Sequence, residues 1–283
     1  MDDIVKYKPP IWKSSQGGGQ VKRILRVKEV GDLIDNLNPD QQGMYKFMKI
    51  TKKNAQLWCY ALFYTGMRLH ELVRLKEHAI YNGVPLLDSE RGTIWMPKEI
   101  FGDVGKQKVV NKERMVFLSF KGRKVMKVFM EQATIPTMIS GNNNMRHLHD
   151  VFDSMLKASA KKIDLPTRLF SMTRKEYLKD AFGVTITDDK GKPRYKKIQV
   201  PMKEPTAGVM VRSFRSTWET YLVSQFLKNP EQMLLITGSM GHIKQTAEDH
   251  YLVVGQFDEE DLEDIRRVTE GWSVLHQKED DKE

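Results

Sequence analysis

The chain has a single cysteine, Cys59, so no internal disulfide can form. Cys59 lies in the apolar run LWCYALF and reads as a small buried core residue. The seven histidines are scattered and no Cys/His cluster has metal-ligand spacing, so no structural zinc site is expected. No apolar run approaches the roughly 20 residues of a membrane span. The opening MDDIVKYKPP lacks the apolar stretch of a secretory signal. Together these absences lead to the expectation of a reducing, intracellular, cytoplasmic setting with no membrane partner.

What the chain does have is basic charge, unevenly spread. The formal net charge is +9. Residues 258–283 hold eleven Asp/Glu and four Lys/Arg, a net of −7, which leaves the remainder at +16. A basic body with an acidic tail points toward a polyanion partner. The alternative is a solvated Lys-rich surface. With 40% hydrophobic and 29% charged residues, the 283-residue chain is ordinary for a globular protein of one large domain or two small ones.

Residues 1–22, with Pro9-Pro10 and the run SSQGGGQ, read as a flexible arm or a cloning remnant. Helical spacing begins in VKEVGDLIDNL. Asn38-Pro39-Asp40 then interrupts it, with Asp40 expected to cap the next helix. From Lys52 to Lys76 the pattern is two helices joined at Thr65-Gly66. GTIWMP and KERMVFLS are rich in β-branched and aromatic residues and flank a Gly/Lys-rich stretch, so a β-hairpin is expected. Helices are expected over 121–133 and 145–162. Residues 183–205 suggest a second hairpin or a long basic loop. The rest reads as helices over 207–228, 230–239, 244–252 and 258–275, and no internal repeat is evident. The fold class is mostly α with a small antiparallel β-sheet.

Several motifs can carry chemistry. TGMRLHELVRLK places Arg68 just inside a helix, where pairing with Glu71 or Glu77 is the plain structural reading. RSFRSTWETYL sets Arg212 and Arg215 three apart on one helix face, an arrangement suited to an anion between two guanidinium forks or to a solvated basic face. In GSMGHIKQTAEDHYL, Gly241 is suited to end a helix in a left-handed turn, His242 follows, and Tyr251 comes nine residues later. His250 reads as a bystander.

In this combination and order the sequence resembles the tyrosine recombinase (integrase) family. Thr65 to Leu72 matches its Thr-Gly-(Leu/Met)-Arg-x-x-Glu-Leu segment. Gly105-Lys106 and Asn111-Lys112-Glu113-Arg114 match its hairpin-lysine context in pieces. Arg212-x-x-Arg215 falls at its His-x-x-Arg helix, and Met240-Gly241-His242 with Tyr251 matches its Leu-Gly-His…Tyr element. The matches span roughly residues 25–270. Two departures stand out. Arg212 replaces the usual histidine, as in some archaeal and viral members, and it cannot accept a proton because guanidinium stays protonated. The lengthened hairpin leaves the lysine open between Lys106 and Lys112, with Lys98 and Lys108 outside both contexts. The family's preceding core-binding domain has no room here, which implies a fragment or a minimal form.

The resemblance implies a catalytic domain over 23–275 with an acidic tail at 276–283. It implies a DNA breaking-rejoining enzyme for integration or recombination in a mobile genetic element, acting on double-stranded DNA as a homo-tetramer. Tyr251 would attack the scissile phosphate and leave a 3′-phosphotyrosyl bond, without ATP, metal or other cofactor. Arg68, Arg212 and Arg215 would hold the phosphate oxygens, His242 would orient them, and the hairpin lysine would protonate the leaving 5′-oxygen. Tyr221 is the next candidate nucleophile. Two alternatives remain: a type IB topoisomerase-like relaxing enzyme, and a non-catalytic basic DNA-binding regulator. The C-terminal helix, with Leu262, Ile265, Val268 and Trp272 at helical spacing, either docks on a neighbouring protomer or packs on its own domain.

Overall fold

The structure, a computed structural model, describes residues 23–43, 48–101, 113–138, 145–166, 171–180, 182–189, 191–201, 205–206, 208–226, 229–241 and 257–272. It divides into two compact units. The larger runs over Lys22–Phe170 and Pro201–Glu283, and the smaller includes Ser171–Val200. The described chain is mostly helical with small antiparallel sheets.

The larger unit is built on α1 (Val27–Asp35), α2 (Lys52–Thr65), α3 (Leu69–Glu77), a short α4 (Lys98–Phe101), α5 (Phe120–Gln132), α6 (Met145–Lys162), α7 (Val211–Phe226), α8 (Pro230–Met240) and α9 (Glu259–Thr269). Expected and observed helices agree closely at α2, α3, α5, α6 and α8. The helix expected over 244–252 lies outside the described residues. Asp40 caps nothing. Its amide instead donates to Asn38 Oδ1 at 3.0 Å in a local turn, and Thr51 caps α2 by accepting from the Asn54 amide at 3.2 Å. Thr51 wins because it immediately precedes the apolar run that α2 buries.

The expected hairpin is present. Strand β5 (Thr93–Met96) pairs antiparallel with β6 (Arg114–Phe117), with Met96 opposite Arg114, and β4 (Leu87–Asp88) adds a third strand at the other edge. Two further minimal pairs, β1 (Met48–Lys49) with β7 (Thr137–Met138) and β2 (Ile80–Tyr81) with β3 (Val84–Pro85), are too short to show a period-2 pattern in the sequence.

Helix α2 runs through the core. Trp58 on one side meets Phe129 of α5 edge-on at 5.0 Å, and Phe63 on the other meets Trp218 of α7 at 5.5 Å. Aromatic pairs in this geometry add to the burial of both rings. Cys59 is fully buried among them, as expected, and burial pushes its thiol pKa up.

The C-terminal segment belongs to this same core. Ile265 and Val268 of α9 are buried in it. The helix stops at Thr269, short of the expected end, because Gly271 turns the chain at φ +71° and brings Trp272 in as a loop residue. Trp272 stacks on Phe226 at 5.7 Å and meets Phe117 edge-on at 5.9 Å. Arg26 before α1 bridges Asp258 and Asp261 at 3.2 and 2.9 Å, which fixes the start of α9 as well. The segment therefore packs on its own unit.

The smaller unit has its own logic. Strands β8 (Ser171–Tyr177) and β9 (Tyr195–Pro201) pair as a ribbon, so the expected second hairpin begins earlier in the chain than its sequence signal. At the ribbon's end three segments meet. The Leu178 amide donates to Arg194 O at 2.9 Å, the Ile186 amide to Leu178 O at 2.9 Å, and the Arg194 amide to Ile186 O at 2.8 Å. From this ring two small hairpins project, closed by bridges Lys179↔Thr185 and Thr187↔Pro193. They form an eight-residue repeat. Asp180 and Asp188 open the two turns, each accepting on Oδ1 the amide four residues on, at 2.9 and 2.8 Å. Gly183 and Gly191 supply the left-handed positions at φ +82° and +72°. The repeat escapes the sequence reading because only Asp and Gly recur in it.

Replacing Trp272 with Ala should destabilise the protein by about 3–5 kcal/mol, the usual cost of deleting a buried large aromatic. Urea unfolding measures it. A loss below about 1 kcal/mol would mean that the segment is not part of the core.

Candidate active site

Helix α2 ends at Gly66, which adopts a left-handed φ of +61°. That backbone conformation favours glycine, and a Cβ there would also come within 2.6 Å of Met240 Cε, at the end of a flexible side chain. Helix α8 ends at Met240, with Gly241 as the left-handed cap at φ +65°, as its sequence context suggests. The two helix ends thus face each other with their C-terminal carbonyls unused by the helices themselves.

Arg215 of α7 fills the gap. It is buried, and its Nη1 donates to Gly66 O at 2.7 Å while Nη2 donates to Met240 O. Positive charge is favourable against carbonyls at a helix C-terminus. Two residues beyond Gly66, Arg68 forms the N-cap of α3 and pairs through Nη1 with Glu71 Oε1 at 3.0 Å, while its amide donates to Glu71 Oε2 at 2.7 Å. Arg114, the first residue of β6, reaches the same Glu71 oxygen at 2.8 Å and donates through Nε to Ser239 O at 3.1 Å.

Glu71 is 2% exposed and lies at the middle of this arrangement. Burial alone would raise its carboxyl pKa, but the guanidiniums of Arg114, Arg215 and Arg68, with the Arg68 amide, together hold it well below the usual carboxylate range. Burial lowers the pKa of Arg215, partly offset by Glu71. The site sets three guanidiniums around Glu71, with Arg68 half-buried at its edge, and a second buried carboxylate, Glu219 of α7, also acts electrostatically on Arg215. Such a cluster retains surplus positive charge and presents planar donors to an anion.

Arg212 lies one turn before Arg215 and is exposed. The preceding residue, Val211, donates its amide to Asp153 Oδ1 on α6 at 2.7 Å, and His149 stands one turn earlier on that helix. Arg212 and His149 interact electrostatically. Burial lowers the His149 pKa, with Asp153 opposing and Arg212 adding to the shift. His70 on α3 is pushed down to about 4, chiefly by burial, with Glu71 opposing and Arg68 adding. Both imidazoles are therefore neutral near pH 7.

The structure brings Arg68 and Arg215 together, with Arg212 one turn away on α7. Lys106, Lys112, His242 and Tyr251 lie outside the described residues. The Arg68–Glu71 pair that a structural reading expects is present, and it is part of the cluster. Tyr221, the fallback nucleophile, is a core residue: it is fully buried, donates its hydroxyl to Leu25 O at 2.5 Å, and burial raises its pKa. In the sequence Arg114 stands only as context for a lysine, and Glu71 only as a structural partner for Arg68, with no part in the site. The signal for Glu71 was its i,i+3 spacing from Arg68. For Arg114 there was none, since its partners lie on α3 and α8. His149 was legible only as one turn from Asp153.

Among the described residues, no group of three or more His, Cys, Asp or Glu is arranged to hold a metal ion, and no helix is long and apolar enough to cross a membrane. No protein-family model and no curated protein matches the chain. A solved structure described as the crystal structure of XerA recombinase is similar to it at 14% identity with a TM-score of 0.36. That likeness covers 87% of this chain and 65% of the other, less than two thirds of that protein's length.

Substituting Glu71 with Gln should cost about 3 kcal/mol at pH 7, because it leaves buried guanidiniums without their counter-charge. The folded-state pKa of Glu71 is depressed, so its stabilisation is complete above the unfolded value of about 4.3 and is lost as pH falls below it. The stability gap between wild type and Glu71→Gln, measured by urea unfolding, should therefore shrink between about pH 5 and pH 2. A gap that stays constant over that range would contradict a charged Glu71.

Proposed function

We propose that this protein is a site-specific DNA strand-transfer enzyme of the tyrosine recombinase type. The observation that carries the reading is the meeting of Arg215 with the Gly66–Arg68 turn, from segments 149 residues apart, around a buried carboxylate. A solvated basic helix face would leave Arg215 in water. Here it is fixed by two main-chain carbonyls and aimed beside a half-buried Arg68. Fixed donors of this kind need no reorganisation when charge develops on a phosphate.

Tyr251 attacks the scissile phosphorus through its phenolic oxygen, and the bond from phosphorus to the 5′-oxygen breaks. The product is a 3′-phosphotyrosyl ester and a 5′-hydroxyl, and the reverse attack by another 5′-hydroxyl rejoins the strands. Arg68, Arg212 and Arg215 hold the non-bridging oxygens, and His242, next in the chain after Gly241, assists them. Lys106 or Lys112 gives the leaving oxygen its proton. Arg212 cannot take the proton of Tyr251, which leaves that role to His242 or water.

The test is a pool of suicide duplexes that trap a cleaved strand on the protein. Wild type should give a denaturant-resistant adduct whose DNA-linked peptide contains Tyr251. Tyr251→Phe should give none while still shifting duplex DNA, and Arg68→Ala should slow adduct formation by about 100-fold or more. An adduct on the Tyr251→Phe protein would remove Tyr251 from the reaction. DNA binding by wild type without any adduct would leave a non-catalytic regulator.

A further inference from the structure

Among its described side chains, the smaller unit buries little. Every residue over 176–196 whose side chain is described is exposed except Leu178, which is half-buried. Phe182 is 91% exposed and Val184 62%. Tyr177 and Tyr195, 52% and 41% exposed, face each other across the ribbon at 6.3 Å. The turns do not need these side chains. Asp180 and Gly183 hold the first hairpin, as Asp188 and Gly191 hold the second, and the residue equivalent to Phe182 in the second copy is Lys190. Turn chemistry accepts a polar residue at that position, so an aromatic held out to water is not explained by folding.

Charge identifies the occupant. Residues 171–200 carry eight Lys/Arg against four Asp/Glu. Three of the four acids are used locally: Asp180 and Asp188 accept turn amides, and Glu176 pairs with Lys196 at 2.9 Å. Lys179, Lys192 and Arg194 are exposed and have no ion-pair partner among the described residues. Cations left over around projecting aromatic and aliphatic tips fit a polyanion that also offers stacked, apolar surface.

We propose that this two-hairpin ribbon is a duplex-DNA-binding arm separate from the arginine cluster. Lys179, Lys192 and Arg194 contact backbone phosphates, and Phe182 with Val184 enters a groove, which at about 12 Å in the major groove admits a two-stranded ribbon. The arm rests on the DNA-binding half of the proposed function and not on Tyr251.

The full chain is titrated against a fluorescein-labelled duplex of arbitrary sequence at several salt concentrations, with anisotropy as the readout. The triple variant Lys179→Ala, Lys192→Ala, Arg194→Ala should bind more weakly. Its slope of log affinity against log salt should fall by about 2 to 3, since each lost phosphate contact removes about 0.9. Phe182→Ala should weaken binding about fivefold or more with the slope unchanged. Thermal unfolding of both variants should match wild type, because the substituted side chains are exposed.

A triple variant with wild-type affinity and slope overturns the arm, and if wild type still forms the Tyr251 adduct, the catalytic reading survives. Ribbon-dependent binding without an adduct does the reverse. Failure of wild type to bind the duplex overturns the arm outright. So does a dimer seen by sedimentation that Phe182→Ala abolishes while DNA binding is unchanged, which would make a second copy of the chain the occupant.

Discussion

The guanidinium of Arg215 donates to Gly66 O at the end of α2 and to Met240 O at the end of α8, and the arrangement of the larger unit depends on that double attachment. Two helix C-termini meeting end to end would set partial negative charges against each other. One buried cation between them converts the repulsion into attraction. Burying that cation costs several kcal/mol on its own. Glu71 offsets the cost, and Arg68 and Arg114 in turn keep Glu71 ionised. The left-handed caps Gly66 and Gly241 end the two helices where Arg215 reaches their last carbonyls, and a Cβ on either would meet a side chain, Met240 at Gly66 and Arg114 at Gly241.

A cluster assembled this way is rigid for reasons that do not depend on function. Its members come from α3 and its N-cap, β6 and α7: Arg114 and Arg215 are tied to main-chain carbonyls, Glu71 accepts the Arg68 amide, and the Arg68 guanidinium is tied to Glu71. The proposed function would draw on the excess of guanidinium over carboxylate and on the position of Arg68 at the half-buried edge. Structural and proposed catalytic readings of Arg68 therefore do not compete: the Glu71 contact that a structural account predicts would also hold the side chain in place under the proposed function.

The core closes from both ends of the larger unit. Arg23 near its start donates to Pro205 O, and Trp272 near its end packs between Phe117 and Phe226. The acidic face of α9 is left to the outside, with Glu263, Arg266, Asp264 and Arg267 paired along it. Residues 171–200 belong to a second unit held by turn hydrogen bonds, and its described apolar side chains are exposed except the half-buried Leu178.

Periodicity and capping residues in the sequence were enough to determine most helices of the larger unit, because an amphipathic helix and its caps are local properties. The β5–β6 hairpin was legible for the same reason. The two-residue strands were not, since two residues are too few to show a period-2 pattern, and the Asp/Gly repeat of the ribbon was hidden by side chains that its turns do not constrain. Arg68 and Arg215 were legible as residues, but their meeting was not, nor were the parts of Arg114 and Glu71 in it. Whether an arginine is solvated or buried against carbonyls depends on which helix ends the fold brings to it. That is a contact between distant segments, and only the tertiary structure decides it.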